Sequence, residues 1–467
     1  MFGLFKRKPV AAVPPGLLAG ASNVQPAPIT PTAPAPMKRL RADEVFPIAA
    51  HEVPHTYVSR AAAETLVQSQ LRHQNAIILF SGPSKSGKTV LCHRFAAGLP
   101  KAHLHVFTRM TSDEFWDALR QAIEAPERTE LERHDQRGSE IEVGGAMKTG
   151  ANVLGVKAEA EAKLKKQWKE SEGGSRKIVV PSGGRVGVLN YLRTHPHTII
   201  IDDYHWMNPD IAPEVFPPLK QALGWGSRVI LISVSNASFP TTGDFGDFTG
   251  RFVDLAMPPW DVDEIRQIAR SGFPLLNMDV SKRTILLLAS CAYGSPLLMQ
   301  GLCSQLCYEQ SIHETLDEKL SVDIKDRSQI GRLAGRFAQP LTTKFDALLS
   351  DPSSRIWKTR DRRDLSLAEL LVLGINHKRP FEPILLSEVV ERLTERVLKK
   401  PVPSTLSALL VQRITEIQTK LGGERGDRSP IYYDPVAKTV TIVDPYFKLW
   451  ARWVRGAELS GKLFRSE

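Results

Sequence analysis

Gly82-Pro83-Ser84-Lys85-Ser86-Gly87-Lys88-Thr89 is the stretch on which the reading of this 467-residue chain turns. Ahead of it, Ala76-Ile77-Ile78-Leu79-Phe80 is a continuous apolar run that predicts a buried strand. Behind it, Thr89 to about Gly98 predicts a helix. A strand, a loop of the form G-x-x-x-x-G-K-[ST] and a helix together make a cradle for phosphate. Gly82 and Gly87 let the backbone wrap around an anion, while successive amide N–H groups and the helix N-terminus supply partial positive charge. In such a cradle Lys88 reaches the β- and γ-phosphates of a nucleoside triphosphate and Thr89 offers its hydroxyl to Mg²⁺. The residues expected to touch the cofactor here are Gly82, Pro83, Ser84, Lys85, Ser86, Gly87, Lys88, Thr89 and Val90.

Working outward, residues 60–74 predict a helix before the loop. His103 to Thr108 predicts a second strand, and Ser112 an N-cap for a helix carrying Phe115, Trp116, Leu119 and Ile123. Residues 186–194 predict a further helix, Thr198-Ile199-Ile200-Ile201 a third strand, and Val229 to Val234 a fourth. Apolar strands alternating with helices predict a parallel sheet covered on both faces. The third strand ends in Asp202 and Asp203. After a phosphate loop, Asp202 is expected to hold Mg²⁺, mainly through its water shell, and Asp203 to polarise an attacking water.

The stretch 126–182 interrupts this order. It is charged, then glycine-rich, and Val156, Ala158, Ala160, Ala162 and Leu164 then alternate with Lys and Glu. It reads as a projecting hairpin or, because Lys, Glu and Ala favour helix, as a helical segment. Either way it is an insertion suited to contacts. From Asp261, a predicted cap, the chain turns helical through 281–291 and 296–310. Past 365, helices over 370–375, 386–398 and 404–421 precede two strand-like runs, Ile431-Tyr432-Tyr433 and Thr439 to Val443. Three helices and a hairpin are the layout of a winged helix-turn-helix. The expected division is a Pro/Ala-rich basic tether over 1–47 and an α/β P-loop NTPase domain over 48–258. A helical lid over 259–350 and a winged-helix domain over 351–467 follow.

Composition sets limits on the rest. Charged residues at 24% and apolar residues at 42% belong to a packed globular chain. No apolar run reaches spanning length, and the start Met1 to Lys8 lacks the layout of a signal peptide, so a cytoplasmic, non-spanning protein is expected. Four cysteines, Cys92, Cys291, Cys303 and Cys307, are too few and too irregular for a disulfide framework and read as core thiols. The net charge of +10 sits at the ends: residues 1–41 carry six Lys/Arg and no acid. Residues 351–467 carry 21 Lys/Arg against 15 Asp/Glu. A polyanion such as DNA would therefore meet the ends of the chain. In a DNA-reading winged helix, 404–420 would be the recognition helix, offering Ser404, Thr405, Ser407, Gln412, Arg413, Gln418 and Lys420, with Arg425 and Arg428 near the wing.

Ile201-Asp202-Asp203-Tyr204-His205-Trp206-Met207-Asn208-Pro209 resembles the D-D-x-H-W-x-x-P segment of STAND-type ATPases, the signal-transducing branch near AAA+ proteins. Tyr57-Val58-Ser59-Arg60, with Glu64, is similar to the entry segment of that family, which places Tyr57 beside the adenine of ATP. Ser235 or Asn236 falls where a sensor facing the γ-phosphate ends the fourth strand, closer here to origin-recognition-type AAA+ proteins. Gly294-Ser295-Pro296 resembles the lid motif whose proline, here Pro296, packs near the base. Ile442 to Trp453 resembles the D-P-x-F-x-x-W ending of winged-helix domains in the same group. The resemblance implies Mg·ATP as cofactor, with Thr89 and Asp202 as metal ligands. It also implies Asp203, Asn236 and a trans-acting arginine, Arg251 or Arg228, as catalytic residues. The function it implies is a nucleotide switch that forms a homo-oligomer in the ATP state and engages a separate effector or sensor protein. Bacterial members serve in signalling and antiviral defence. The alternative is a DNA-remodelling ATPase with the winged helix on duplex.

Overall fold

The computed structural model describes residues 39–48, 53–71, 76–95, 99–107, 109–126, 128–133, 176–181, 184–234, 252–350, 356–376, 383–422 and 429–460. The chain divides after Arg39, and all of these except Arg39 belong to the unit Leu40–Glu467. Asn236, Ser235, Arg251, Arg425, Arg428 and the alternating run 156–164 lie outside the described residues.

The strands are β1 (Ile77–Ser81), β2 (Lys101–His105), β3 (Arg128–Arg133), β4 (Arg176–Pro181), β5 (Thr198–Asp202), β6 (Arg228–Ile232) and β7 (Phe252–Ala256). Five of them form a sheet of order β2-β5-β6-β1-β7 in which every neighbouring pair is parallel. The side-chain period of two sends alternate residues into two separate cores. Ile77, Leu79, Ile199, Ile201, Val229 and Leu231 pack with Phe115, Trp116, Val188, Leu219 and their neighbours on one face. Ile78, Phe80, Ile200, Ile230 and Ile232 pack with Ala63, Val67, Leu91 and Cys92 on the other. Because all five strands point the same way, the ends of β1, β5 and β6 open on one side of the sheet, where open α/β folds place their ligands.

Three local expectations change. Thr111, not Ser112, caps the helix Ser112–Ala122: its Oγ1 accepts from Glu114 N at 3.3 Å, and Glu114 Oε2 accepts from Thr111 N at 2.8 Å. The reciprocal cap needs an acid three residues on, and only Thr111 has one. The second strand is Lys101–His105 rather than 103–108. Within 126–182, the described residues form an antiparallel pair, β3 with β4, in which Arg128 faces Pro181 and Arg133 faces Arg176.

The folded unit begins earlier than position 48. Ala42–Val45 is a short helix, Val45 and Phe46 are fully buried, and the Phe46 ring packs 5.0 Å from Phe273. Beyond the sheet, helices Val262–Leu275, Lys282–Cys291 and Pro296–Glu309 are capped by Asp261, Ser281 and Ser295. Strands β8 (Met278–Val280) and β9 (Leu320–Val322) pair in parallel, and helices Arg327–Ala338 and Thr342–Leu349 follow. The hairpin β10 (Trp357–Lys358) and β11 (Asp364–Leu365) precedes helices Leu367–Ile375, Leu386–Arg392 and Leu406–Gly422. β12 (Ile384–Leu385), β13 (Ile431–Asp434) and β14 (Thr439–Ile442) form an antiparallel sheet of order β12-β14-β13, and the helix Pro445–Trp450 leaves it.

The segments before and after residue 350 share one hydrophobic core. Phe345 meets Phe447 edge-on at 5.1 Å and Trp450 at 5.3 Å. A Cβ on Gly331 would lie 2.4 Å from Trp453 Cζ3, so only glycine admits that indole. All four cysteines are buried free thiols, as expected. Burial raises Cys291 to about 11 and Cys307 to about 12, which keeps both unreactive.

Candidate functional site: a phosphate loop roofed by the C-terminal segment

The loop leaves β1 and enters the helix Lys88–Phe95 with Lys85 at φ 59° and Gly87 at φ 83°. Left-handed backbone at Gly87 suits a residue without Cβ. Lys88 is buried and folds back over its own loop, its Nζ donating to Gly82 O at 3.1 Å and Pro83 O at 2.7 Å. Burial pushes its ammonium down to about 8, although Asp202 pulls the other way. Thr89 Oγ1 donates to Asp202 Oδ2 at 2.7 Å, and Asp203 N donates to Asp202 Oδ1 at 2.9 Å. The two residues expected as Mg²⁺ ligands are thus brought together across 113 residues of sequence.

Histidines on β2 back this pair. His103 and His105 lie two apart on one face of the strand, with His105 opposite Asp202 in register. His103 Nε2 is 3.4 Å from Asp202 Oδ2 and His105 Nδ1 is 3.6 Å from Asp203 Oδ2. Burial raises the Asp202 carboxyl, but hydrogen bonds from His103, Thr89 and Asp203 N outweigh it and hold the group below the ordinary range. Asp203 shifts the opposite way: burial, then the charge of Asp202, raises it. Asp203 also sits in left-handed backbone at φ 56°, a strained position for a residue with a side chain. Two adjacent carboxyls with opposed shifts are the pattern expected of one metal-holding and one proton-accepting group.

A cavity of about 690 Å³ opens from this loop, within the range that takes a nucleotide-sized ligand. Its walls include the loop from Ser84 to Val90, Asp202, Asp203, Tyr57 and Pro296, so those sequence-predicted residues share one space, while Gly82 and Pro83 are not among its lining residues. Tyr57 is fixed by donating to Glu64 Oε1 at 2.8 Å and by the Arg94 guanidinium 4.0 Å from its ring. Pro296 Cγ would be 3.8 Å from a Cβ on Gly87, and Ser295 Oγ donates to Lys85 O at 3.2 Å. Ser86 and Ser233 line the cavity, and their buried hydroxyls have no hydrogen-bond partner among the described residues. Orphaned hydroxyls beside a glycine loop fit phosphate oxygens, and the Thr89 hydroxyl with the Asp202 carboxylate fits the all-oxygen coordination of Mg²⁺.

Sequence reasoning missed several members. Trp260 Nε1 donates to Ser86 O at 2.8 Å, and Arg60 lies 4.6 Å over the Trp260 ring while donating to Pro258 O and Pro259 O. Ser233 directly follows β6, two residues before Ser235 and three before Asn236, the positions named from sequence. The cavity roof is also new: Lys344, Phe345, Ser429, Pro430, Val443 and Asp444 close it from the C-terminal side. Lys85 Nζ donates to Asp444 Oδ1 at 2.7 Å and lies 4.3 Å from the Tyr446 ring centroid.

No family model matches the chain, and no curated protein matches it. Solved structures do. A Walker-type ATPase, PABY2304 of Pyrococcus abyssi, aligns at TM-score 0.46 and 14% identity over 85% of this chain and 96% of that one. Cdc6p from Pyrobaculum aerophilum aligns at TM-score 0.34 and 14% identity over 90% and 98%. The Aeropyrum pernix Orc1 protein, solved in complex with DNA, aligns at TM-score 0.36 and 14% identity over 90% and 98%. These scores are low, and the class rests on the molecule itself. A five-stranded parallel sheet, a glycine loop running into a helix N-terminus and a strand-end acid bonded to Thr89 make this a P-loop NTPase fold. No helix among the described residues is long and apolar enough to cross a membrane.

Proposed function

We propose that the chain is an AAA+-type, STAND-like ATPase that binds Mg·ATP in this cavity and works as a nucleotide switch. The observation that carries the reading is that residues from the sheet, the lid and the C-terminal segment wall a single cavity, with Asp444 touching the phosphate loop directly. Occupancy of the cavity therefore bears on the position of the C-terminal segment.

Gly82 to Val90 bind the phosphates, with Lys88 turned from its loop carbonyls towards them. Bound between Thr89 and Asp202, Mg²⁺ would neutralise phosphate charge. Asp203 Oδ2 accepts the proton of a water, and His105 holds that carboxylate in place. Tyr57 and Pro296 flank the base. Asn236 completes the site as sensor, and Arg251 serves a neighbouring protomer in a nucleotide-dependent homo-oligomer. The division into ATPase domain, lid over 259–350 and winged helix from 351 belongs to the same reading. The helix and strand order from Leu367 to Ile442, with the sheet order β12-β14-β13, supports a winged helix. The family resemblance extends the output to engagement of an effector or sensor in signalling or antiviral defence.

The DNA reading is weaker on one observation. Arg413, offered as a base-reading residue, is buried and donates to Leu349 O and Ser350 O. Among the residues of Leu406–Gly422 whose exposure is described, the exposed ones are Ala408, Gln412, Thr415, Glu416 and Thr419; the side chain of Lys420 lies outside them. Sizing the whole chain with and without a slowly hydrolysed ATP analogue tests the switch. Assembly only with the analogue supports it, and an unchanged size with the analogue bound sinks it. Salt-dependent duplex binding without nucleotide would instead favour the DNA reading.

A further inference from the structure

A polar relay sits in the wall of the cavity. Thr56 and Gln300 line it, as do the apolar Pro47, Val53, Val58 and Leu297. Gln300 follows Pro296 by four residues on the same helix, hence on the same face. Both Gln300 and Thr56 are buried, at 5% and 1% exposure. Thr56 Oγ1 donates to Val45 O at 3.0 Å, and Gln300 Nε2 donates to Thr56 Oγ1 at 2.7 Å.

The chemistry of the relay fixes which way the amide points. Val45 O is a carbonyl and only accepts, so the single Thr56 hydroxyl proton is committed to it. Thr56 Oγ1 can then only accept from Gln300, which requires the amide NH₂ on that side. Oε1 is left on the other side of the amide, buried and with no hydrogen-bond partner among the described residues. A buried carbonyl without a donor is costly unless a ligand provides one.

We propose that Gln300 Oε1 accepts a hydrogen bond from the exocyclic 6-amino group of adenine, making Gln300 the residue that selects ATP over GTP. The assignment rests on the reading of the cavity as a nucleotide site. Adenine carries a donor at its 6-position. Guanine carries a carbonyl there, which would set two acceptors against each other. The Val45–Thr56 pair prevents the amide from turning over to accommodate it.

The test is equilibrium binding to the full chain of ATP, GTP and purine riboside triphosphate, which is ATP without its 6-amino group. ATP is expected to bind about three- to tenfold more tightly than the purine analogue, the worth of one neutral hydrogen bond, and more tightly still than GTP. In Gln300→Met, ATP affinity falls to that of the analogue while the analogue is unaffected. In Thr56→Val, which keeps Gln300 but frees its amide to turn, the discrimination against GTP narrows. Equal binding of ATP and the analogue to the wild-type chain overturns the assignment, as does GTP binding as tightly as ATP. These comparisons change the ligand and not the fold. No binding by any of the three overturns the nucleotide reading of the cavity and the assignment with it.

Discussion

The Lys85 ammonium lies 2.7 Å from Oδ1 of Asp444, joining the phosphate loop to the first turn of the helix Pro445–Trp450 across 359 residues. The same carboxylate oxygen accepts from Tyr446 N at 2.8 Å and so caps that helix. One side chain thus serves both the local helix and a loop on another part of the molecule. A phosphate arriving at Lys85 competes with Asp444 for the same cation, so the contact bears on whether the C-terminal segment stays over the cavity.

Asp444→Asn separates the two roles, because asparagine caps as well as aspartate but carries no charge. It is expected to leave the melting temperature nearly unchanged, since partly exposed ion pairs contribute about 1 kcal/mol or less. It should slow nucleotide release several-fold in a stopped-flow experiment with a fluorescent analogue, because the phosphate then holds Lys85 without a competing carboxylate. Asp444→Ala should add about 1 kcal/mol of destabilisation from the lost cap. Unchanged release in the asparagine variant would mean that the pair plays no part in closure.

The lowered Lys88 value, about 8, gives a pH signature with a definite sign. Between about 8 and the ordinary lysine value of about 10.4, the unfolded chain holds a proton that the folded chain has released. Stability of the ligand-free protein is therefore expected to rise with pH across that window, and Lys88→Met should flatten the rise in melting curves. Binding a triphosphate should draw a proton onto Lys88 above pH 8, seen as buffer-dependent heats in titration calorimetry. Lys88→Ala should weaken nucleotide binding by roughly 10- to 100-fold.

Asp203→Asn should keep nucleotide affinity and lower phosphate release by about 10² to 10⁴, the range for loss of a general base. Because burial and Asp202 raise the Asp203 carboxyl, hydrolysis should gain its basic form above the ordinary carboxylate range of about 3.9. The acid limb of the pH–rate profile should be absent from the variant.

Gly331→Ala should cost about 1–3 kcal/mol by overpacking against Trp453, read as a lower unfolding midpoint in urea. Arg413→Ala should likewise destabilise, by about 2–3 kcal/mol, because it strips the donors from Leu349 O and Ser350 O. A fall in duplex affinity with no loss of stability would contradict the buried role of Arg413.

Much of this site was legible in the chain because its signals are local. Gly82, Gly87, Lys88 and Thr89 stand at fixed spacing, and the apolar run before them could only be a buried strand. Asp202 and Asp203 stood out because they end another such run. The cap at Asp261 follows from a side-chain oxygen placed just ahead of a helix. The Ser112 assignment missed for an equally local reason, since the acid that completes the cap lies three residues from Thr111.

What the sequence determined, then, is four of the five strands of the P-loop sheet, the acidic end of one of them and the main helices that flank them. Each of these is set by backbone hydrogen bonding and periodicity over a few residues. Only the tertiary structure decided that Asp444 reaches Lys85, that Gln300 meets Thr56 across 244 residues, and that one core runs through the lid and the C-terminal segment. A lone aspartate, glutamine or glycine carries no spacing signal. Its partner is selected by packing between distant segments: Phe345 against Phe447 and Trp450 beside Asp444, and Phe46 against Phe273 beside Thr56.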